Sequence, residues 1–221
     1  MNKIGKRLQV IASLVDTKNV ADVGCDHGKL VEYLFDRKII ESAIISDISR
    51  PSLDKAIKLL SAKNYPYTAI CCDGLSGYNV GNLDTCIISG MGGFEICKIL
   101  DKTSINIDNL ILSPQQNIIE TKKFLIDKNY QIVFDIIVEE KGKFYNIFKC
   151  KKSDEKIKLS DYRLQFGLDN FTNKNSDIKK FLDAKLSKFY AIQASLETSN
   201  EKIKNQIEVF EKAKKELEDY E

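Results

Sequence analysis

Several apolar runs in this 221-residue chain end on small or polar clusters, and those clusters hold the residue types able to do chemistry. The first is Ala21-Asp22-Val23-Gly24-Cys25-Asp26-His27-Gly28. A glycine turn between a strand and a helix lets backbone come close to a ligand, and the first amides of the helix are free to bind it. The spacing is not that of a dinucleotide turn, because Cys25 and Asp26 follow Gly24, and no Gly-Lys-Ser/Thr marks a phosphate loop. Asp22 and Asp26 would repel a pyrophosphate. They would attract a cation, such as the sulfonium and ammonium of S-adenosylmethionine. A tight turn with Asp26 as helix cap accounts for the same residues equally well.

Four further clusters follow the same plan. Ile45-Ser46-Asp47 sits about 20 positions beyond the glycine turn, where a carboxylate takes the two hydroxyls of a ribose. The alternative is a cap for the helix begun at Pro51. Cys72-Asp73-Gly74 could receive an adenine amino group, or be a plain glycine turn. In Ser89-Gly90-Met91-Gly92-Gly93 the glycines give room where a methyl acceptor would lie, with close helix–sheet packing as the alternative. Pro114-Gln115-Gln116-Asn117 ends the last strand of the series with amides able to hold a base edge. His27, the only histidine, is assigned to binding. The six cysteines form no Cys-x-x-Cys and have no base beside them, so neither a zinc set nor a thiol nucleophile is expected.

The elements that must position these clusters are read from periodicity. Apolar runs at 20–24, 43–47, 68–72, 84–89 and 109–113 alternate with helical patterns at 28–37, 51–63, 93–100 and 118–128. Continuous apolar strands separated by helices predict a parallel, doubly wound sheet covered on both faces. Strands at 130–139 and 143–150, joined at Glu140-Lys141-Gly142, predict a terminal antiparallel hairpin. By fold analogy, that order separates methyltransferase sheets from most dinucleotide dehydrogenases. A helix carrying Leu8, Ile11, Ala12 and Val15 precedes the first strand. Residues 151–158 read as a charged linker, 161–167 as a short helix and 169–176 as a stretch rich in Asn, Thr and Asp. Residues 175–220 read as an antiparallel, coiled-coil-like helical hairpin, its second helix restarted by a capping box at Thr198-Ser199-Asn200-Glu201.

Composition limits the classes. The chain is 43% hydrophobic and 30% charged, which supports a packed core and argues against disorder. With 34 basic and 32 acidic residues the net charge is +2, which excludes a strongly basic nucleic-acid coat but not a local patch. Nothing near the start reads as a signal peptide and no window approaches a membrane span, so a cytoplasmic location is expected.

At these positions the sequence resembles the TrmK family, the bacterial tRNA (adenine(22)-N1)-methyltransferases. The resemblance runs in order through Lys6-Arg7-Leu8, the segment from Ala21 to His27, Cys72-Asp73-Gly74-Leu75, Ser89-Gly90-Met91-Gly92-Gly93, 110–114 and 139–145, and extends over essentially the whole chain. It implies a class I, Rossmann-like sheet over 1–155, a helical coiled-coil-like domain over 156–221, S-adenosylmethionine as donor and tRNA as partner. The chain departs from the commoner family pattern at Ser113 and Gln115, and at Cys25 and Gly28-Lys29. The expected donor site is Asp22, Gly24, Cys25, Asp26, His27, Gly28, Asp47, Ile48, Cys72, Asp73, Gly74, Gly90, Met91 and Gly92. The expected acceptor site is Lys6, Arg7, Gly92, Gly93, Pro114 and Gln115, with Asp26 as catalytic candidate, no metal, and a monomer or weak dimer. Two other classes remain open on the residues alone: a dinucleotide-dependent oxidoreductase and a noncatalytic RNA-binding adaptor.

Overall fold

The computed structural model describes residues 3–155, 158–167, 169–173, 175–196 and 200–219. A helix, α1 (Lys6–Ser13), leads into β1 (Asn19–Val23), α2 (Lys29–Asp36), β2 (Ser42–Asp47), α3 (Arg50–Ser61) and β3 (Tyr67–Cys71). Then come β4 (Asn82–Ser89), α4 (Gly93–Lys102), β5 (Asn106–Ser113), α5 (Ile118–Asp127), β6 (Tyr130–Glu140) and β7 (Lys143–Lys152). The seven strands run in the order β3-β2-β1-β4-β5-β7-β6. The first five are parallel, and β7 enters antiparallel between β5 and β6. The order reverses between β1 and β4, which opens a crevice at the carboxyl ends of those strands.

Central strands are apolar throughout because both faces are covered. Ile45, Ile87 and Ile111 pack beneath α1, α2 and α3, whereas Cys86, Ile88, Leu110 and Leu112 pack beneath α4 and α5. The hairpin turns on Lys141 and Gly142, both in the left-handed region (φ 52° and 76°), the two-residue geometry that suits strand twist.

The C-terminal segment contains α6 (Asp161–Phe166), α7 (Asp169–Thr172), α8 (Ser176–Ser195) and α9 (Glu201–Asp219). Its apolar side chains, among them Phe166, Phe171, Ile178, Leu182, Ile207 and Phe210, form a third cluster with Ile137 of β6. The α8–α9 pair is antiparallel, as shown by Lys214 on Asp183 at 2.6 Å and the Tyr190 hydroxyl on Glu211. Polar side chains also stand in for a missing neighbour of edge strand β6. The N–H groups of Asp135, Ile137 and Glu139 donate to Asp169 Oδ2 (2.8 Å), Asn170 Oδ1 (2.8 Å) and Asp177 Oδ2 (2.9 Å). Asn175 Nδ2 donates to the Ile137 carbonyl at 2.7 Å.

The structure refines three of these readings. The stretch rich in Asn, Thr and Asp contains α7 and three of those edge-pairing side chains, Asp169, Asn170 and Asn175. Lys151 and Lys152 belong to β7 rather than to a linker. α9 begins at Glu201 with Asn200 Oδ1 accepting from Ile203 N–H at 3.2 Å, while Thr198, Ser199 and Tyr220 lie outside the described residues.

Candidate active site

The first strand carries Asp22 to the crevice and buries it to 4% exposure. Burial, and then the charge of Asp47, push its carboxyl up to about 7. Past the strand, the Gly24 and Cys25 N–H groups both donate to the Ser46 carbonyl, at 2.8 and 2.9 Å, so the β1 turn is clamped to the end of β2. Asp26 then takes a left-handed conformation (φ 48°), which turns its carboxylate outward, 72% exposed and 3.5 Å from His27 Nε2. Asp26 is therefore not the cap of α2: Gly28 holds the cap position and no side chain bonds there. Asp47 binds the Asp26 N–H (3.0 Å) through Oδ2 and the Ser49 N–H (2.8 Å) through Oδ1. It thus staples the two loops, and the cap of α3 is Ser49. A carboxylate has about four acceptor directions, so two remain for a ligand. Burial, followed by the nearby charges of Asp22 and Asp47, pushes the Cys25 thiol far up, which removes it as a neutral-pH nucleophile.

These loops enclose a cavity of about 400 Å3. Of the expected donor residues, Asp22, Gly24, Cys25, Asp26, His27, Asp47, Ile48, Cys72, Gly74, Gly90 and Met91 line it. Three do not. Gly28 is pressed on α3, where an added Cβ would lie 2.9 Å from Ala56 Cβ. Asp73 borders a neighbouring hollow of about 420 Å3, which shares the 72% exposed Ile48 with the cavity. Gly92 is the cap position of α4. Sequence reasoning missed Leu8, Lys29, Leu30 and Ser89 in the lining. Gly24 is required by its φ of +76°; a Cβ there would also press on Met91 Cε at 2.4 Å, which the flexible methionine side chain can yield.

The expected acceptor residues divide. Lys6 is spent inside the protein, bound to Asp177 of α8 at 2.5 Å. Gly93 follows its packing alternative: a Cβ there would meet Thr121 Oγ1 at 2.2 Å and the Gln116 carbonyl at 2.5 Å. Arg7 does reach the cavity, its guanidinium 5.0 Å over the Tyr145 ring. Pro114 and Gln115 line a larger cleft of about 820 Å3 between the sheet and the C-terminal helices, together with Tyr145, Phe181, Phe189, Lys143 and Lys185. Tyr145 is the functional candidate that sequence reasoning passed over as a site residue. The signals for it were its place at the end of the 139–145 segment that carries the resemblance and on the strand beside β5, which leads to Gln115. Among the described residues, no group of three or more His, Cys, Asp or Glu could hold a metal ion.

A parallel sheet closed by an antiparallel hairpin, with an acidic glycine turn at the reversal of strand order, defines a Rossmann-like methyltransferase. The chain belongs to the TrmK family, tRNA (adenine(22)-N(1))-methyltransferase, whose profile matches residues 20–218. A Mycoplasma pneumoniae protein assigned to the tRNA methyltransferases is 32% identical over 184 residues, 80% of this chain and 86% of its own. M. capricolum TrmK, solved with S-adenosyl-homocysteine, shares the fold at a TM-score of 0.86 and 24% identity, over 98% of this chain and 100% of that one. A Streptococcus pneumoniae protein assigned to tRNA (m1A22) methylation, solved with S-adenosyl-L-methionine, is similar at a TM-score of 0.78 and 26% identity, over 99% of each chain. Membership decides against the oxidoreductase and the noncatalytic adaptor.

Proposed function

We propose that this chain moves the methyl group of S-adenosylmethionine to N1 of adenine 22 in tRNA, using the acid-lined cavity for the donor and the adjoining cleft for the acceptor. One observation carries the assignment of sites: the cavity between β1, β2 and β4 lies beside the cleft that holds Pro114, Gln115 and Tyr145, with Arg7 of the cavity stacked on Tyr145 of the cleft. The residues suit the donor. Asp22 and Asp26 offer negative charge to a sulfonium and an ammonium, Asp47 keeps lone pairs for ribose hydroxyls, and exposed Ile48 gives an apolar surface for a purine.

When bound, the donor supplies an electrophilic methyl carbon. Adenine N1 has a free lone pair at neutral pH, so no strong base is needed and alignment dominates. The ring becomes cationic as the bond forms, and the exposed Asp26 carboxylate stabilises that charge. N1 lies on the Watson–Crick edge, so the nucleotide must leave its pairing before it reacts. Residues 1–155 form the methyl-transfer unit and 156–221 a helical unit facing the RNA, working as a monomer or weak dimer in the cytoplasm, where tRNA is found.

The test is incubation of the purified chain with labelled donor and a tRNA transcript, followed by nucleoside analysis. 1-Methyladenosine is expected, and none with guanine at position 22; its absence from the adenine transcript overturns the reading. Asp26→Ala, measured at donor concentrations that saturate it, should lose about a hundredfold in kcat. Full activity would remove Asp26 from the mechanism.

A further inference from the structure

The donor cavity and the cleft are neighbours: Gly90 lines the first and Gln115 the second. Two side-chain tips stop beside Gly90: Arg7 Nη1 and Gln115 Nε2 lie 3.8 and 3.9 Å from where a Gly90 Cβ would be. Gly90 itself sits at φ +88°, a conformation that keeps a side chain out of that space. The root of Gln115 is fixed, because it follows Pro114 and its N–H donates to the Met91 carbonyl at 2.9 Å. Its amide is exposed and makes no side-chain hydrogen bond to another described residue. A primary amide that bonds no other described residue thus stands on the cleft side, within 4 Å of where a Gly90 Cβ would be.

An adenine that reacts at N1 must keep that atom free of hydrogen bonds, since its lone pair forms the new bond. The edge left for recognition is the N6 donor with the N7 acceptor, and a primary amide matches that pair. We propose that Gln115 reads the N6/N7 edge of the acceptor adenine, Oε1 accepting from N6–H and Nε2 donating to N7. The inference rests on the adenine-N1 reading above. Arg7 cannot take this place, because a guanidinium only donates and adenine N6–H also donates. Stacked on Tyr145, it suits a phosphate or a ring nitrogen instead. Guanine presents acceptors at both O6 and N7 and carries a proton on N1, so it fails the amide and the chemistry together.

In the transfer the N1 lone pair forms the N–C bond and the S–C electron pair returns to sulfur. The positive charge passes from sulfonium to ring, and the N6 protons become more acidic. The Oε1 contact therefore strengthens as the reaction proceeds, which places much of its effect in kcat rather than in KM.

The experiment uses the full chain and tRNA transcripts carrying adenosine or 7-deazaadenosine at position 22. Removing N7 leaves a ring at least as electron-rich at N1, so any loss comes from recognition. Wild type is expected to lose about tenfold in kcat/KM on the 7-deaza substrate. Gln115→Ala should lose about tenfold or more on adenosine, chiefly in kcat, and show no preference between the two substrates. Its donor affinity, read by calorimetry with S-adenosyl-homocysteine, should match wild type. Equal rates of wild type on both substrates, or a preference kept by Gln115→Ala, overturn the assignment to Gln115 while the methyltransferase reading stands. No 1-methyladenosine from wild type on adenosine brings down both.

Discussion

The rim of the sheet and its outer edge are both built on aspartates and amides, yet they are completed by different partners. At the edge, the oxygens of Asp169, Asn170 and Asp177 accept the N–H groups of Asp135, Ile137 and Glu139. Cations of the same chain then balance the charge, Lys6 on Asp177 and the fully buried Lys122 on Asp135 at 2.6 Å. Burial pulls Asp177 upward, but the Lys6 bond, the Glu139 N–H and the charges of Lys6 and Lys180 outweigh it, so its carboxyl titrates below the ordinary range. Asp135 is raised by burial, with Lys122 opposing. At the rim, burial and a like charge both act upward on Asp22 and nothing opposes them. A carboxylate of the edge has a cation of its own chain beside it, although Asp135 Oδ1 and Asp177 Oδ1 accept no hydrogen bond from the described residues. A carboxylate left short of compensation in a cavity is poised for a cation from outside, and the fold carries the cost.

The sharpest way to break this contrast is to remove the edge's internal cation. Lys122 also donates to the Leu164 carbonyl at 2.8 Å, so it joins α5, β6 and α6 in one buried knot. Lys122→Ala should cost about 3–5 kcal/mol in urea unfolding, because Asp135 is left buried and unpaired. The double change Lys122→Met with Asp135→Leu should recover most of that loss. A single-variant loss below about 1 kcal/mol would show that charge does not hold the edge. A smaller effect is expected from Asn170→Ala, which leaves the Ile137 N–H without its acceptor in a fully buried position. That change should cost about 1–3 kcal/mol and speed hydrogen exchange at the Ile137 amide. Unchanged exchange there would mean that Asn170 does not stand in for a strand.

The two regions also differ in how far they could be read from the sequence. The rim was legible because each of its turns is local: Gly24-Cys25-Asp26 or Gly90-Met91-Gly92 follows directly on a strand whose two buried faces make it a continuous apolar run, as in Ile87 and Ile88. Even there, neighbours decided what spacing could not. Gly93 looks like Gly92 in the sequence, and only Thr121 and the Gln116 carbonyl show that it is needed for packing. The edge was not legible. Asp169, Asn170 and Asp177 form no periodic pattern, and their partners are backbone groups of a strand far off in the chain. Lys6 read as an acceptor-site residue for the same reason, since nothing near it in sequence announces Asp177. The Arg7–Tyr145 stack joins the two ends of the sheet domain and leaves no local trace either.

The mildest test concerns proton linkage at Asp22. Its carboxyl is raised to about 7 from 3.8, so between those values the folded protein holds a proton that the unfolded chain has released. Stability from this group therefore falls as pH rises through that window, and Asp22→Asn should stabilise the free protein most above pH about 7. Donor binding has the opposite sign. A cation near Asp22 favours the ionised form, so binding below about pH 7 must release the proton, and affinity should rise by about tenfold between pH 6 and pH 8. The donor's own amino group titrates the same way with either protein, so the comparison of wild type with Asp22→Asn isolates the carboxyl. Isothermal titration in buffers of different ionisation enthalpy should show proton release with wild type and not with the variant. Equal pH slopes for the two would mean that the charge at Asp22 is not what the donor meets, and the contrast between a completed edge and an uncompleted rim would lose its chemical meaning.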